Sequence, residues 1–82
     1  MDMRIKIENV YEDGEEITET KDINVPEPPN LDTESERHQD WAYDYLFAET
    51  GTGKTEGDAA YFVEILASDD VALVGNTYEW GI

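Results

Sequence analysis

Residues 33–51 read TESERHQDWAYDYLFAETG, and the fold turns on whether this stretch is a helix. Thr33 followed three residues later by Glu36 has the pattern of a capping box. In that motif the threonine hydroxyl accepts a free N–H of the first turn and the glutamate reaches back to the threonine N–H. Pro28 and Pro29 stand just upstream, where neither would fit inside a helix. Thr50-Gly51 supplies a stop, the glycine being suited to a left-handed cap. Within these limits Trp41, Tyr45 and Ala48 recur at i, i+4, i+7. Ala42 and Leu46 widen the stripe, and His38 lies one turn before Trp41. This is the face expected to meet a core. Tyr43 and Phe47 form a second apolar pair, so the C-terminal half is expected to be covered on two sides.

Another ridge of the same helix carries Glu36, Asp40 and Asp44 at i, i+4, i+8. Neighbours on it are like charges about 6 Å apart along the axis. Each such pair weakens a helix by roughly 0.2–0.5 kcal/mol. Arg37 can relieve Asp40 or Glu34 but cannot neutralise the ridge.

Upstream, Met3 to Tyr11 alternates: Met3, Ile5, Ile7 and Tyr11 share one face, and Arg4, Lys6, Glu8 and Val10 the other. Glu15 to Val25 is the return strand, with Ile17, Ile23 and Val25 at odd positions. Loop length decides the register. A two-residue Asp13-Gly14 turn sets Ile5 against Asp22. A three-residue loop, Glu12-Asp13-Gly14, pairs odd with odd and gathers the isoleucines on one face, so it is the expected loop, with Gly14 left-handed. Its tip is densely acidic: Glu12, Asp13, Glu15, Glu16 and Glu19 have no basic residue among them. Pro26 to Asn30 reads as a rigid extended connector.

Downstream, residues 51–58 form a glycine-rich loop. Ala59 to Ala67 is aromatic and β-branched, which favours a strand. Ala59, Phe62, Val63 and Leu66 also fit a helical stripe, and both readings stand. Ser68-Asp69-Asp70 is a turn. Val71 to Trp80 reads as the last strand, with a bulge or bend at Gly75-Asn76. The expected fold class is α+β, in the order ββαββ. A four-stranded antiparallel sheet packs on one helix, and residues 1–82 form a single domain.

Charge bounds the function. Among 82 residues there are 21 acidic and 5 basic ones, a formal net of −16. Residues 1–40 hold 13 acids and 4 bases, and residues 41–82 hold 8 acids and 1 base. Direct binding to nucleic acid or to an anionic membrane is therefore disfavoured, and a basic protein surface is attracted. Such charge also suits a disordered chain, but aromatic residues make up 11% of this one and its strand patterns are clear. The three lysines also fit a salt-loving cytoplasm. There is no cysteine, hence no disulfide and no thiolate metal site. No apolar run is long enough to span a bilayer, and no basic-then-apolar signal opens the chain. The expected location is the cytoplasm, or the host cytoplasm if the protein is viral.

Catalytic and cofactor motifs are sparse. Residues 48–55, AETGTGKT, resemble the looser, alanine-first Walker A motif of helicases. The resemblance implies Lys54 on phosphates and Thr55 on magnesium. The context departs from it. A helix cap precedes the loop instead of a buried strand, and VALVG leads to Asn76 instead of a magnesium-binding aspartate. No nucleotide or other cofactor is expected. His38 is the only histidine, so a zinc site would need carboxylates alone beside it, and none is expected. Asp58, Asp69 and Asp70 could attract a divalent cation weakly, without EF-hand spacing. Ser35 and Ser68 lack a base with an orienting partner, and no carboxylate sits in a recognisable apolar pocket. An enzyme is not expected.

The reading is a non-enzymatic acidic protein that presents carboxylates to a basic, nucleic-acid-binding surface of a partner protein. The hairpin acids and the Glu36–Asp40–Asp44 ridge would stand in for phosphates. In size, charge and single-domain build the chain resembles the small acidic proteins of phages and mobile elements, including DNA mimics and anti-CRISPR inhibitors. That resemblance implies blocking of a nucleic-acid enzyme. The alternative is an acidic accessory or structural module of a virus or halophile whose charge serves solubility.

Overall fold

A computed structural model describes residues 1–50 and 59–81. The elements are β1 (Asp2–Tyr11), β2 (Glu16–Asn24), α1 (Glu36–Tyr45), β3 (Ala59–Ser68) and β4 (Thr77–Gly81), with short 3-10 turns at Phe47–Glu49 and Val71–Leu73. The sheet is antiparallel throughout, in the order β2-β1-β3-β4, with α1 packed on one face. The fold class is the expected α+β, and residues 59–68 are strand.

The register of the first hairpin follows from its loop. Met3 pairs with Ile23 and Asn9 with Ile17, odd against odd. Tyr11 N–H donates to the Glu15 carbonyl at 2.8 Å and Gly14 N–H to the Tyr11 carbonyl at 3.0 Å, closing a loop of Glu12, Asp13 and Gly14. Gly14 has φ +87°, the left-handed region that glycine enters without a Cβ penalty. β1 and β3 are the inner strands, and they bury most: Met3, Ile5, Ile7, Val63 and Ile65 join Val25, Trp41, Ala42, Leu46 and Leu73 in one cluster. Full burial of each isoleucine or leucine contributes about 1.5–3 kcal/mol. A second cluster of Tyr11, Ala59 and Tyr61, with Ile17 and Phe47 against it, closes the hairpin end. The opposite sheet face has no helix on it among the described residues, as antiparallel sheets permit.

Four details differ from the expectations. The helix starts at Glu36, not Thr33; its N-cap is Ser35, and no side chain caps it. The Asp32 carboxylate accepts Glu34 N–H at 3.0 Å, and the Asp32 carbonyl accepts Ser35 N–H at 3.0 Å. This local turn holds Thr33 outside the helix and pre-empts the capping box. At the other end α1 stops at Tyr45, and Phe47–Glu49 tightens into a 3-10 turn where Thr50 Oγ1 donates to the Phe47 carbonyl at 2.6 Å. The buried face is His38, Trp41, Ala42 and Leu46, whereas Tyr45 and Ala48 are exposed. Tyr45 ends the α-helix, and Ala48 lies in the 3-10 turn that follows it. Lastly, Val71–Leu73 is a 3-10 turn and not strand: the Asp70 carboxylate accepts Ala72 N–H at 3.0 Å and caps it. Gly75 (φ +91°) makes the expected bend, its N–H donating to Ile65 and leaving Thr77 to open β4. A register shift lies between Arg4 and Ile5, opposite Leu66 and Ala67.

Candidate partner-binding surface

The hairpin tip and the outer side of α1 are the two acidic sites expected from sequence, and each forms locally. Glu12, Asp13, Glu15 and Glu16 are exposed at the end of the β1–β2 hairpin. Asp13 also shapes the tip, its carboxylate accepting Glu15 N–H at 3.0 Å. Glu36, Asp40 and Asp44 are exposed. At 100° per residue their ridge lies opposite His38, Trp41, Ala42 and Leu46, so it faces away from the sheet. Asp44 stands in the last turn of α1, where there is no basic residue. That is the negative end of the helix dipole, and a carboxylate there is destabilising by about 0.3–1 kcal/mol.

Glu19 is the one expected site residue that belongs elsewhere. It lies midway along β2 on the helix-facing side, and its carboxylate meets Lys21 at 3.2 Å. Lys21 also reaches Glu49 at 3.4 Å, tying β2 to the turn after α1. Burial opposes the Lys21 ammonium, but the hydrogen bonds and charges of Glu19 and Glu49 outweigh it and raise its pKa. On the opposite sheet face Arg4 pairs with Asp22 at 2.8 Å and Lys6 with Glu8 at 3.0 Å. The hydrogen bond and charge of Arg4 lower the Asp22 pKa, and Arg4 is raised in turn. The strand cations are thus held in ion pairs on the sheet. Among the described residues Arg37 makes no ion pair, neither with Asp40 nor with Glu34.

A third acidic group, not anticipated, sits at the far end of the sheet. Asp2 N–H donates to Asp69 at 2.8 Å, and Asn24 Nδ2 donates to Asp2 at 2.6 Å. These partners are far apart in the chain, so no local pattern marks them. Their carboxylates fasten chain segments together, unlike those of the tip and ridge. No cluster of metal-binding side chains occurs among the described residues. Asp58, Lys54 and Thr55 lie outside the described residues; the part of the Walker-like motif that is described, Ala48 to Thr50, ends a 3-10 turn.

His38 is completely buried. Nδ1 is 2.8 Å from the Asn30 carbonyl, and Nε2 is 2.8 Å from the Tyr78 hydroxyl. A carbonyl only accepts, so Nδ1 carries a hydrogen, and Nε2 is paired with the Tyr78 hydroxyl. The ring lies 5.4 Å from Trp41 and stacks at 5.8 Å on Tyr78. It is a core group with both nitrogens bonded. No helix among the described residues is long and apolar enough to cross a membrane.

The fold and surface define a small α+β protein with carboxylates on its hairpin tip and outer helix side. The chain matches no known family model, no curated protein and no solved structure.

Proposed function

We propose that this chain is a non-enzymatic binding protein that occupies a basic, nucleic-acid-binding surface of a partner protein, in the manner of a DNA mimic or anti-CRISPR inhibitor. One observation carries the reading: exposed carboxylates stand where they work against the fold. The Glu36–Asp40–Asp44 ridge repels itself, and Asp44 sits at the wrong end of the helix dipole. Opposite charge on a partner would relieve both penalties and accelerate encounter.

The test is capture of partners from lysate on the immobilised protein, with nuclease present. Basic nucleic-acid-binding proteins are expected, released as salt rises. Replacing Glu36, Asp40 and Asp44 by Gln, Asn and Asn should reduce their capture. Capture that is unchanged by those substitutions and by salt contradicts the reading.

A second reading has its own support, because Glu16, Asp22 and Glu79 are exposed on the open sheet face as well. Charge on every side suits a solubilising shell for a salty cytoplasm. Melting in a potassium chloride series separates the two. Folding only in molar salt favours the shell, and stable folding in dilute buffer favours the binder.

A further inference from the structure

We propose that the free edge of β4, with the groove between β4 and α1, receives an extended cationic segment of another protein as a fifth strand. This goes beyond the role proposed above, since it uses a backbone edge and an aromatic groove in place of the tip and ridge.

The ladder shows which groups are available. β4 lies at the end of the sheet and, among the described residues, pairs only with β3. Ile65 N–H donates to the Asn76 carbonyl, and Gly75 N–H donates to the Ile65 carbonyl. Hydrogen-bonded pairs alternate along an antiparallel ladder, so Val63–Tyr78 and Tyr61–Trp80 are the next bonded pairs. The backbone N–H and C=O of Thr77 and Glu79 then point away from β3, toward the open edge.

The side chains set the partner's chemistry. Tyr78 and Trp80 face α1 and, with Thr33, Gln39 and Ala42, line a groove of about 340 Å³. Tyr43, 55% exposed, stacks on Phe47 at 4.7 Å, and Phe47 meets Trp80 edge-on at 5.5 Å. Aromatic surface therefore runs from the helix to the edge strand. On the other face Glu79 is exposed, and Glu64 lies across from Thr77. A strand added here sends alternate residues to these two sides. Apolar residues fit the groove, and lysine or arginine fits beside Glu79 and Glu64.

β2, the other edge, offers no such seat. Lys21 bridges to Glu49 and closes its helix side, and its open side carries Glu16 and Asp22. β2 also carries a lysine, Lys21, of the kind that guards an edge, whereas β4 has no lysine or proline and its one charged residue is Glu79. A second copy of this chain is disfavoured as occupant by a net charge of −16 on each.

The probe is an end-capped peptide of alternating valine and lysine, compared with a peptide of the same composition in two blocks. Amide NMR shifts and hydrogen exchange locate the contact. The alternating peptide is expected to protect the Thr77 and Glu79 amides. N-methylation of a peptide amide facing β4 should weaken binding about three- to tenfold for each hydrogen bond lost. Glu79→Pro removes one outward N–H and the Glu79 carboxylate without breaking the ladder to β3, as edge positions allow, and should weaken binding about tenfold or more. If that variant does not fold, the N-methylated peptides still decide. Neutralising the hairpin tip should leave the shift pattern in place, which separates this proposal from the blocking role. Equal binding of the block peptide, shifts confined to the tip and ridge, or a β4-to-β4 dimer in place of the complex would overturn it.

Discussion

Between β1 and β2 the chain reverses through Glu12, Asp13 and Gly14, all exposed. Between β3 and β4, at the other end of β1, it takes residues 69–76 and buries Leu73 completely. The first connection is two carboxylates and a glycine and buries nothing. The second is an anchor: Asp70 caps its 3-10 turn, Asp69 bonds Asp2, and Leu73 plugs the core under the helix layer. It also displays Val71, 81% exposed, where the acidic tip displays carboxylates. Both turns need a glycine at positive φ. The two ends of one sheet thus differ: one exposes carboxylates, and the other holds the fold.

The largest expected effect falls on the anchor. Leu73→Ala should lower stability by about 2–5 kcal/mol in urea unfolding, the usual range for a buried leucine. A loss under about 1 kcal/mol would show that the turn is not an anchor.

Next comes the contact between His38 and Tyr78. Tyr78→Phe leaves His38 Nε2 buried without its partner, an expected loss of about 1–3 kcal/mol. The variant also reports on pH. Burial raises the Tyr78 pKa above its ordinary 10.0, with a hydrogen bond from Asn76 acting the other way. The unfolded chain ionises first, so this contribution is intact below pH 10.0 and is lost as pH rises through the higher folded value. Alkaline unfolding curves of the phenylalanine variant should be flatter than those of the parent.

Gly14→Ala and Gly75→Ala should each cost about 1–2 kcal/mol from backbone strain alone. A Cβ at either position meets nothing within 4 Å. Similar losses at the two ends would show that both turns depend on backbone handedness whatever their side chains do. The smallest effect belongs to the acidic tip. Replacing Glu12, Asp13, Glu15 and Glu16 by their amides should change stability by about 0.5 kcal/mol or less, as for surface sites generally. Any gain should appear at low salt, where repulsion is least screened. A large loss would make the tip structural and erase the contrast.

Much of this contrast could be read from the residues. The odd positions of Ile17 and Ile23 required the three-residue loop, and that loop in turn sets Arg4 opposite Asp22. β-Branched and aromatic residues marked β3. The carboxylates of the tip and ridge are local features and were visible as such. Other features depend on competition or distance. Asp32 captures Glu34 N–H before Thr33 can cap the helix. Val71 to Val74 has strand composition, but the Asp70 cap and the burial of Leu73 fold it into a turn. Asn9 sits on the buried face of β1 in a place that alternation alone reserves for an apolar residue. The Asp2–Asp69 bond spans nearly the whole chain, so it is apparent only once the sheet is assembled.

Carboxylates that stand in for phosphates must compete with nucleic acid for the same partner surface, and a displacement titration measures that competition. A nucleic-acid-binding protein captured by this chain is held in complex, and duplex DNA or RNA of its usual kind is titrated in. Mutually exclusive binding is expected, with nucleic acid displacing this chain and a chain neutralised at tip and ridge displaced at lower concentrations. A ternary complex in which nucleic acid and this chain occupy the partner together would contradict it.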